Sequence, residues 1–176
     1  MKDKAQEFWT RWNFPNCIGA INGKHIRMKC PKNTGTLYFN YKEHFSIVLL
    51  ALVDANCKFL IIDVGSYGKE GDSDDEKLPD TNNSTPFVVV GDGAFRLHRH
   101  IMKPYSKSSA RQDRAKTIFN YRLSRCCRVT ENAFGLLSQV FRIFHTAIGT
   151  DLEVCDDLVI VACCLHNMLR DAFWKK

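Results

Sequence analysis

Apolar runs separated by turn residues, all in the first half of the chain, are the feature that most constrains its fold. Residues 45–53 form a continuous run rich in β-forming side chains, and residues 58–64 form a second one. Before them, Ile26, Met28 and Cys30 alternate with charged residues, which is the period-two pattern of a strand with one buried face. These segments predict three consecutive strands in an antiparallel meander.

The rest of the chain predicts two more strands and mostly helix. Residues 1–15 predict a short helix, and residues 87–91 are an apolar run short enough for a fully buried strand. Residues 101–105 predict a fifth strand, whose proline places it at a sheet edge. Apolar residues then recur with a helical period over 129–144 and 154–169. This order predicts an α/β fold in which helices pack on a mixed sheet.

Length and composition exclude several classes of protein. A chain of 176 residues fits a single domain, which we expect to span residues 1–176. No apolar run approaches the roughly 20 residues of a transmembrane helix, and the first residues are polar, unlike a secretory signal. The eight cysteines include no Cys-x-x-Cys pair. They are therefore expected to be small buried hydrophobes in a reducing compartment, with structural zinc or redox chemistry as the alternatives.

Charge is unevenly distributed along the chain although the net charge is only +6. Residues 96–128 contain ten Lys and Arg residues but one Asp, with aromatic residues among them. Such a stretch is typical of a surface that binds a phosphate backbone, and a solvated, partly disordered basic loop is the alternative. Residues 67–86, by contrast, predict an acidic loop. We assign nucleic-acid binding to Lys24, Arg96, Arg99, Lys103, Arg111, Arg114, Arg122, Arg125 and Arg128.

Two carboxylates lie where they could converge on one point. Asp92 directly follows the predicted strand 87–91, at the carboxyl edge of the sheet, and Glu131 lies in an amphipathic helical segment. Carboxylates placed in this way can hold divalent cations that activate water and stabilise the leaving oxygen in phosphodiester chemistry. A loop cap for Asp92 and a solvated surface charge for Glu131 are the alternatives.

Six stretches of the chain together resemble the nuclease domain of PIF/Harbinger-type DDE transposases and of the domesticated nucleases derived from them. They cover nearly the whole chain in the family's order: 12–26, 41–54, 91–97, 119–125, 128–135 and 164–169. The resemblance implies an RNase H-like mixed five-stranded sheet in the order 3-2-1-4-5, with helices packed on it. It also implies Mg²⁺- or Mn²⁺-dependent cleavage of DNA, a Myb-like DNA-binding partner protein, and a location in the nucleus, with the cytoplasm as an additional compartment.

The family's catalytic and metal-binding positions correspond here to Asn22, Asp92 and Glu131. Asn22 stands where the family has Asp. A carboxamide offers one neutral oxygen, so the site loses one of three negative charges and cannot readily bridge two cations. Asp63 cannot replace it, because the predicted topology places this residue two strands away, roughly 10 Å from strand 1. We therefore expect weak or absent two-metal catalysis.

Two further departures from the family concern the architecture. The crossover between strands 3 and 4 is shortened to residues 67–86, which predicts a thinly covered sheet face with a partly exposed apolar patch. The upstream helical DNA-binding region of full-length relatives has no counterpart in the sequence. Three hypotheses remain open: a transposon-derived DNA endonuclease with impaired activity, a catalytically inactive domesticated domain that binds nucleic acid or a protein partner, and a decayed transposon product without function.

Overall fold

Strands and helices follow one another in the chain largely as the apolar runs predict. The computed structural model describes residues 1–67 and 87–174. In chain order the elements are α1 (Lys2–Trp12), β1 (Cys17–Arg27), β2 (Ser46–Val53), β3 (Phe59–Tyr67), β4 (Val88–Val90), β5 (Ile101–Met102), α2 (Lys107–Arg111), α3 (Arg114–Val140) and α4 (Leu152–Trp174), with a 3₁₀ turn at Arg142–His145 before α4.

The five strands form one mixed sheet in the order β3-β2-β1-β4-β5. β1 pairs antiparallel with β2, and β2 pairs antiparallel with β3, which is the meander predicted from the apolar runs. β4 runs parallel to β1, and β5 runs parallel to β4 at the sheet edge. The predicted α/β class, the RNase H-like strand order and the edge position of the fifth strand are therefore confirmed.

One face of the sheet lies under helices and holds the core. Along β2, alternate residues from Ile47 to Val53 are buried, whereas Val48, Leu50 and Leu52 are half-buried on the opposite face. Directly opposite residues of an antiparallel pair share a face, so the residues that pair with the buried residues of β2 also point toward the helices. The same rule gives the direction of the β1 side chains in the site described below.

Helices α3 and α4 both cover that face. The ring of Phe59 on β3 lies 6.0 Å from the ring of Phe134 on α3 and 5.0 Å from the ring of His166 on α4. Because one β3 side chain contacts both helices, the two helices lie on the same side of the sheet. Leu123, Val129 and Leu137 of α3 are fully buried against the strands, and each large apolar side chain contributes about 1.5–3 kcal/mol on burial.

Much of the basic stretch at residues 96–128 is helical, which decides between the two interpretations of it. Residues from Arg114 to Arg128 belong to α3, which begins well before the apolar period at residue 129. The carboxylate of Asp113 begins the helix by accepting hydrogen bonds from the backbone N–H groups of Ala115 and Lys116, at 2.8 and 3.5 Å. The alternative of a disordered basic loop is therefore wrong for this part of the stretch.

The predicted acidic loop at 67–86 falls almost wholly outside the described residues, because β3 continues to Tyr67 and description resumes at residue 87. The shortened crossover lies in the same gap. On the sheet face away from α3, Ile61 is 59% exposed. Among the helices in the described ranges, none has both the length and the apolarity required to cross a membrane.

The cysteines are all free thiols. Five of the eight are buried, as the sequence predicts for small hydrophobes: Cys17, Cys57, Cys126, Cys155 and Cys163. Cys17 and Cys126 lie with their sulfur atoms 3.7 Å apart, which joins β1 to α3. Cys30 and Cys164 are exposed, and Cys127 is intermediate.

Candidate active site

Strand register places Asn22 and Asp92 side by side. β1 and β4 run parallel, with Ala20 opposite Val90, so two further residues along each chain lead to Asn22 and Asp92. The alignment continues past the end of β4, because a Cβ atom added to Gly91 would lie 3.2 Å from the side chain of Ile21. Adjacent strands are about 4.8 Å apart. The first two predicted site positions therefore lie at the same level of the sheet.

The side chain of Asn22 points to the helix-covered face. Asn22 pairs with Ala51 of β2, which is buried on that face. Its amide oxygen accepts a hydrogen bond of 2.8 Å from the backbone N–H of Gly23. This oxygen is the one ligand atom that the carboxamide can offer to a cation, and it is already engaged locally.

Asp92 has one carboxylate oxygen in its own loop. Oδ1 accepts a hydrogen bond of 2.9 Å from the backbone N–H of Ala94, which is an Asx turn. The loop-cap interpretation of Asp92 is therefore correct for one oxygen. Within residues 1–67 and 87–174 no hydrogen bond to Oδ2 is formed, so Oδ2 is the oxygen that this exposed side chain offers to a ligand.

Helix α3 carries Glu131 to the same region of the sheet. Near one end of β1, Cys17 contacts Cys126, and further along β1 the ammonium of Lys24 lies 5.8 Å from the ring centroid of Phe134. The helix therefore advances along β1 in the direction of the strand. Asn22 lies between the two β1 contacts, and Glu131 lies between the two α3 contacts.

Cys127 is a site residue that sequence reasoning missed. Burial, followed by the charges of Cys17, Asp92 and Glu131, raises the pKa of the Cys127 thiol to about 12. Both carboxylates are therefore within electrostatic range of this thiol. The spacing of four residues between Cys127 and Glu131, which is one helical turn, was the available signal.

The donor atoms suit a hard divalent cation, but the site carries less negative charge than a site of three carboxylates. Asp92 and Glu131 provide carboxylate oxygens and Asn22 provides an amide oxygen, all of which suit Mg²⁺ or Mn²⁺. Among the described residues, no group of three or more His, Cys, Asp or Glu side chains could hold a metal ion. Asp63 does not supply the missing charge. It lies on β3, two strands from β1, and its pairing through Leu50 to Gly23 places its side chain on the opposite face of the sheet from Asn22.

The residues assigned to nucleic-acid binding fall into three groups. Arg114, Arg122, Arg125 and Arg128 lie on α3, and Arg111 lies on α2. Arg96, Arg99 and Lys103 lie around β5, where the ammonium of Lys103 donates a hydrogen bond of 3.0 Å to the carbonyl of Phe95. Lys24 is half-buried on β1, and burial together with Lys42 lowers its pKa. The exposed arginines of α3 are thus the group best placed to meet a phosphate backbone, whereas Lys24 and Lys103 are partly occupied within the fold.

Comparison with known proteins identifies the family. The model of the family described as DDE superfamily endonuclease matches residues 21–167. The chain belongs to the DDE endonuclease superfamily. All three candidate site positions lie within the matched residues, and enzymes of the superfamily generally depend on divalent metal ions.

A curated relative supports the same family. The chain is 27% identical over 179 residues to "Protein ALP1-like" of Arabidopsis thaliana. The match covers 89% of this chain and 44% of the relative, so the chain spans less than half of the relative's length. No solved structure matches the chain significantly.

Proposed function

We propose that the chain is a transposon-derived, metal-dependent DNA endonuclease domain whose activity is impaired by Asn22. The observation that carries the proposal is the convergence of three positions on one region. Asn22 and Asp92 lie at the same level of adjacent strands, and the segment of α3 that holds Glu131 packs along β1 between the Cys17–Cys126 and Lys24–Phe134 contacts. Membership in the DDE endonuclease superfamily supplies the reaction class, which is hydrolysis or transfer at DNA phosphodiesters.

Asp92 and Glu131 would hold the cation, with Asn22 as a weak third ligand. A bound divalent ion would activate water and stabilise charge on the phosphate oxygens. Oδ2 of Asp92 is the oxygen not engaged in its loop, so it is suited to face the cation. The neutral amide of Asn22 leaves the site with two negative charges, which lowers its affinity for divalent ions relative to a carboxylate triad.

The arginines on the exposed side of α3 would hold the substrate. Arg128 lies three residues before Glu131 on the same helix, so a phosphate bound to Arg128 is about one helical turn from the candidate metal ligand. Guanidinium groups suit phosphate because their planar donors can bind two of its oxygens. We also propose a Myb-like partner protein and a nuclear location, both on the basis of the family resemblance.

A catalytically inactive, nucleic-acid-binding domain is the second candidate function. The local engagement of the Asn22 amide oxygen by Gly23 favours it, because this hydrogen bond occupies one of the two lone pairs of the only ligand atom at that position. In that case the basic surface of α3 would remain functional while the candidate metal site would not.

Nicking of supercoiled plasmid DNA in Mn²⁺ distinguishes the two functions. We expect little nicking by the native chain and a clear gain in Asn22→Asp, because the third negative charge restores the metal site. Adding Asp92→Ala to Asn22→Asp should remove the gain, since it deletes the neighbouring ligand. Appearance of the nicked form is followed by gel electrophoresis over time.

Asp63→Ala provides the matched control in the Asn22→Asp background. Asp63 is exposed, acidic and on the same sheet, but it lies on the other face, so nicking should persist when it is removed. Inactivity of a folded Asn22→Asp variant would contradict the endonuclease proposal and favour the binding domain. Robust nicking by the native chain that Asp92→Ala abolishes would instead show that Asn22 does not impair the site.

A further inference from the structure

The exposed side of α3 combines cations with aromatic rings. Arg114, Ile118, Tyr121, Arg125 and Arg128 follow one another at alternating intervals of four and three residues, which places them along one face of the helix. Over these residues the face is about 21 Å long, at 1.5 Å per residue. Arg114, Arg125 and Arg128 form no salt bridge within residues 1–67 and 87–174.

Tyr121 presents a π surface to solvent at the centre of this face. Its side chain is 63% exposed, and the guanidinium carbon of Arg125 lies 5.9 Å from the ring centroid. The ring is therefore held beside a cation on the surface without being used to fill the core. Such a ring can stack on a planar ligand while the adjacent guanidinium meets a negative charge.

Tyr105 repeats this arrangement on another side of α3, because its cation, Lys116, lies five residues before Tyr121 and so points in a different direction. Its ring is 48% exposed, with the ammonium of Lys116 at 5.3 Å from the centroid. Asn120 fixes the position of Tyr105 by accepting from its backbone N–H at 2.9 Å and donating to its carbonyl at 3.0 Å. The ring of Phe119 supports it edge-on at 5.3 Å. Because the surrounding residues hold this ring in place, little conformational entropy would be lost when a ligand stacks on it.

Cations that lie beside exposed aromatic rings match the chemistry of single-stranded nucleic acid. Single strands offer phosphates to cations and base faces to aromatic side chains, whereas a duplex hides its base faces within the stack. We propose that this surface, the α3 track of Arg114, Tyr121, Arg125 and Arg128, binds an unpaired DNA strand by stacking a base on Tyr121. The inference rests on the proposed function, and it makes the substrate a DNA whose strand is unpaired beside the scissile phosphate.

The direction of the α3 track connects it with the candidate site. Arg128 is at one end of the track, three residues before Glu131. Tyr121 lies ten residues before Glu131, about 15 Å along the helix axis. An unpaired strand that stacks on Tyr121 and continues past Arg128 would therefore bring a phosphate to the region of Asp92 and Glu131.

Fluorescence anisotropy with one short labelled oligonucleotide, single-stranded or annealed to its complement, tests the proposal. Binding is measured with the full chain in EDTA, so that metal and cleavage play no part. We expect the single strand to bind more tightly than the duplex. Tyr121→Ala should weaken single-strand binding by about 5-fold to 150-fold with little effect on duplex, whereas Tyr121→Phe, which keeps the ring, should retain binding.

Tyr41 provides a matched control elsewhere on the surface. Its ring is 79% exposed, and the ammonium of Lys42 lies 5.4 Å from the centroid, but the residue is in the connection between β1 and β2. Tyr41→Ala should leave both affinities unchanged. Equal weakening of single-strand and duplex binding by Tyr121→Ala, or no weakening of either, would overturn the stacking role.

The same measurements separate this inference from the proposed function. Single-strand binding that is lost in Arg125→Glu but unchanged in Tyr121→Ala would overturn the stacking role and leave the endonuclease proposal intact. Failure of the native chain to bind either form of DNA would overturn the α3 track and the DNA-binding part of the proposed function together.

Discussion

Asn22 determines the charge of the candidate site. Two pairings fix its position: the pairing with Ala51 of β2, and the register between β1 and β4. An Asp at this position would point to the same helix-covered face as Asn22 does. The single substitution therefore changes the charge at the site without changing the fold that presents it, which is why Asn22→Asp is the informative variant.

His166 links the stability of the fold to pH. Its side chain is almost fully buried, and Nε2–H donates a hydrogen bond of 2.8 Å to the carbonyl of Cys57. Burial is the main cause that lowers the pKa of His166 from its ordinary value of 6.5, and the charge of Arg170 acts in the same direction. The unfolded chain therefore binds the proton more readily than the folded chain, so stability should fall as the pH decreases from about 7 to about 5.

Chemical denaturation across this pH range measures the effect. Burial also lowers the pKa of His25, so that residue contributes a slope of the same sign. His25→Asn and His166→Asn should each reduce the dependence of the unfolding free energy on pH, whereas substitution of the exposed His145 should not. A stability that rises as the pH falls through this range would contradict the assignment.

At the scale of elements, α3 has two tasks that depend on where it begins. Its buried side carries Leu123 and Cys126 into the core, and its exposed side carries the basic residues. Asp113 caps the helix, and the backbone N–H of Thr117 donates to the Asp113 carbonyl at 3.1 Å. The cap therefore stabilises the first turn, from which Arg114 projects.

Removing this cap should destabilise the fold measurably. Asp113→Ala is expected to lower the free energy of unfolding by about 0.5–2 kcal/mol, because the N–H groups of Ala115 and Lys116 lose their acceptor. Urea denaturation followed by far-UV circular dichroism measures the loss. Asp113→Asn, which keeps an acceptor oxygen, should retain most of the stability; equal loss in both variants would show that the charge of Asp113 acts in some way other than capping.

The elements differ in how far their sequences predict them. The meander was predictable because its strands are short runs of β-forming apolar residues, or a period-two pattern, bounded by turn residues. The first half of α3 was not, because its surface is so rich in Arg and Lys that Leu123 and Cys126 are too few to show a helical period. The general rule is that a helix is recognised from its apolar face, and that face is narrow here.

The candidate site was predictable in its residues but not in its geometry. The positions of Asp92 after a strand and of Glu131 on an amphipathic helix were visible in the sequence, whereas Asn22 came from the family resemblance alone, and the roles of all three stay predictions until activity is measured. Their arrangement depends on a parallel register between β1 and β4 and on the path of α3 along β1, neither of which local sequence encodes. Cys127 was missed for the same reason, because its place within electrostatic range of the carboxylates is a consequence of helix packing.

At the scale of the whole molecule, the basic charge is concentrated on one structured surface. The net charge is +6, yet residues 96–128 alone hold ten Lys and Arg residues and one Asp. Because α3 is a helix, its arginines keep fixed spacings, whereas a flexible loop would distribute the same charge over many conformations. A nucleic acid should therefore meet the molecule on the α3 side in preference to other directions.

The salt dependence of duplex DNA binding tests this distribution of charge. Each phosphate contact releases counterions, so the logarithm of the binding constant falls with the logarithm of salt concentration by about 0.9 per contact. Replacing Arg114, Arg125 and Arg128 together by Ala should reduce the slope by about 2 to 3. Anisotropy titrations of native and variant chains at several salt concentrations give both slopes.

A control with the same change in net charge separates local contacts from overall attraction. Lys2, Lys32 and Arg142 are exposed and lie outside α2 and α3. If DNA contacts the α3 surface, removing these three charges should leave the slope close to that of the native chain, because no phosphate is contacted and no counterion released at those positions. Equal reductions in slope for the two triple variants would mean that DNA is attracted by the total charge of the molecule, and the α3 surface would lose its assignment as the nucleic-acid interface.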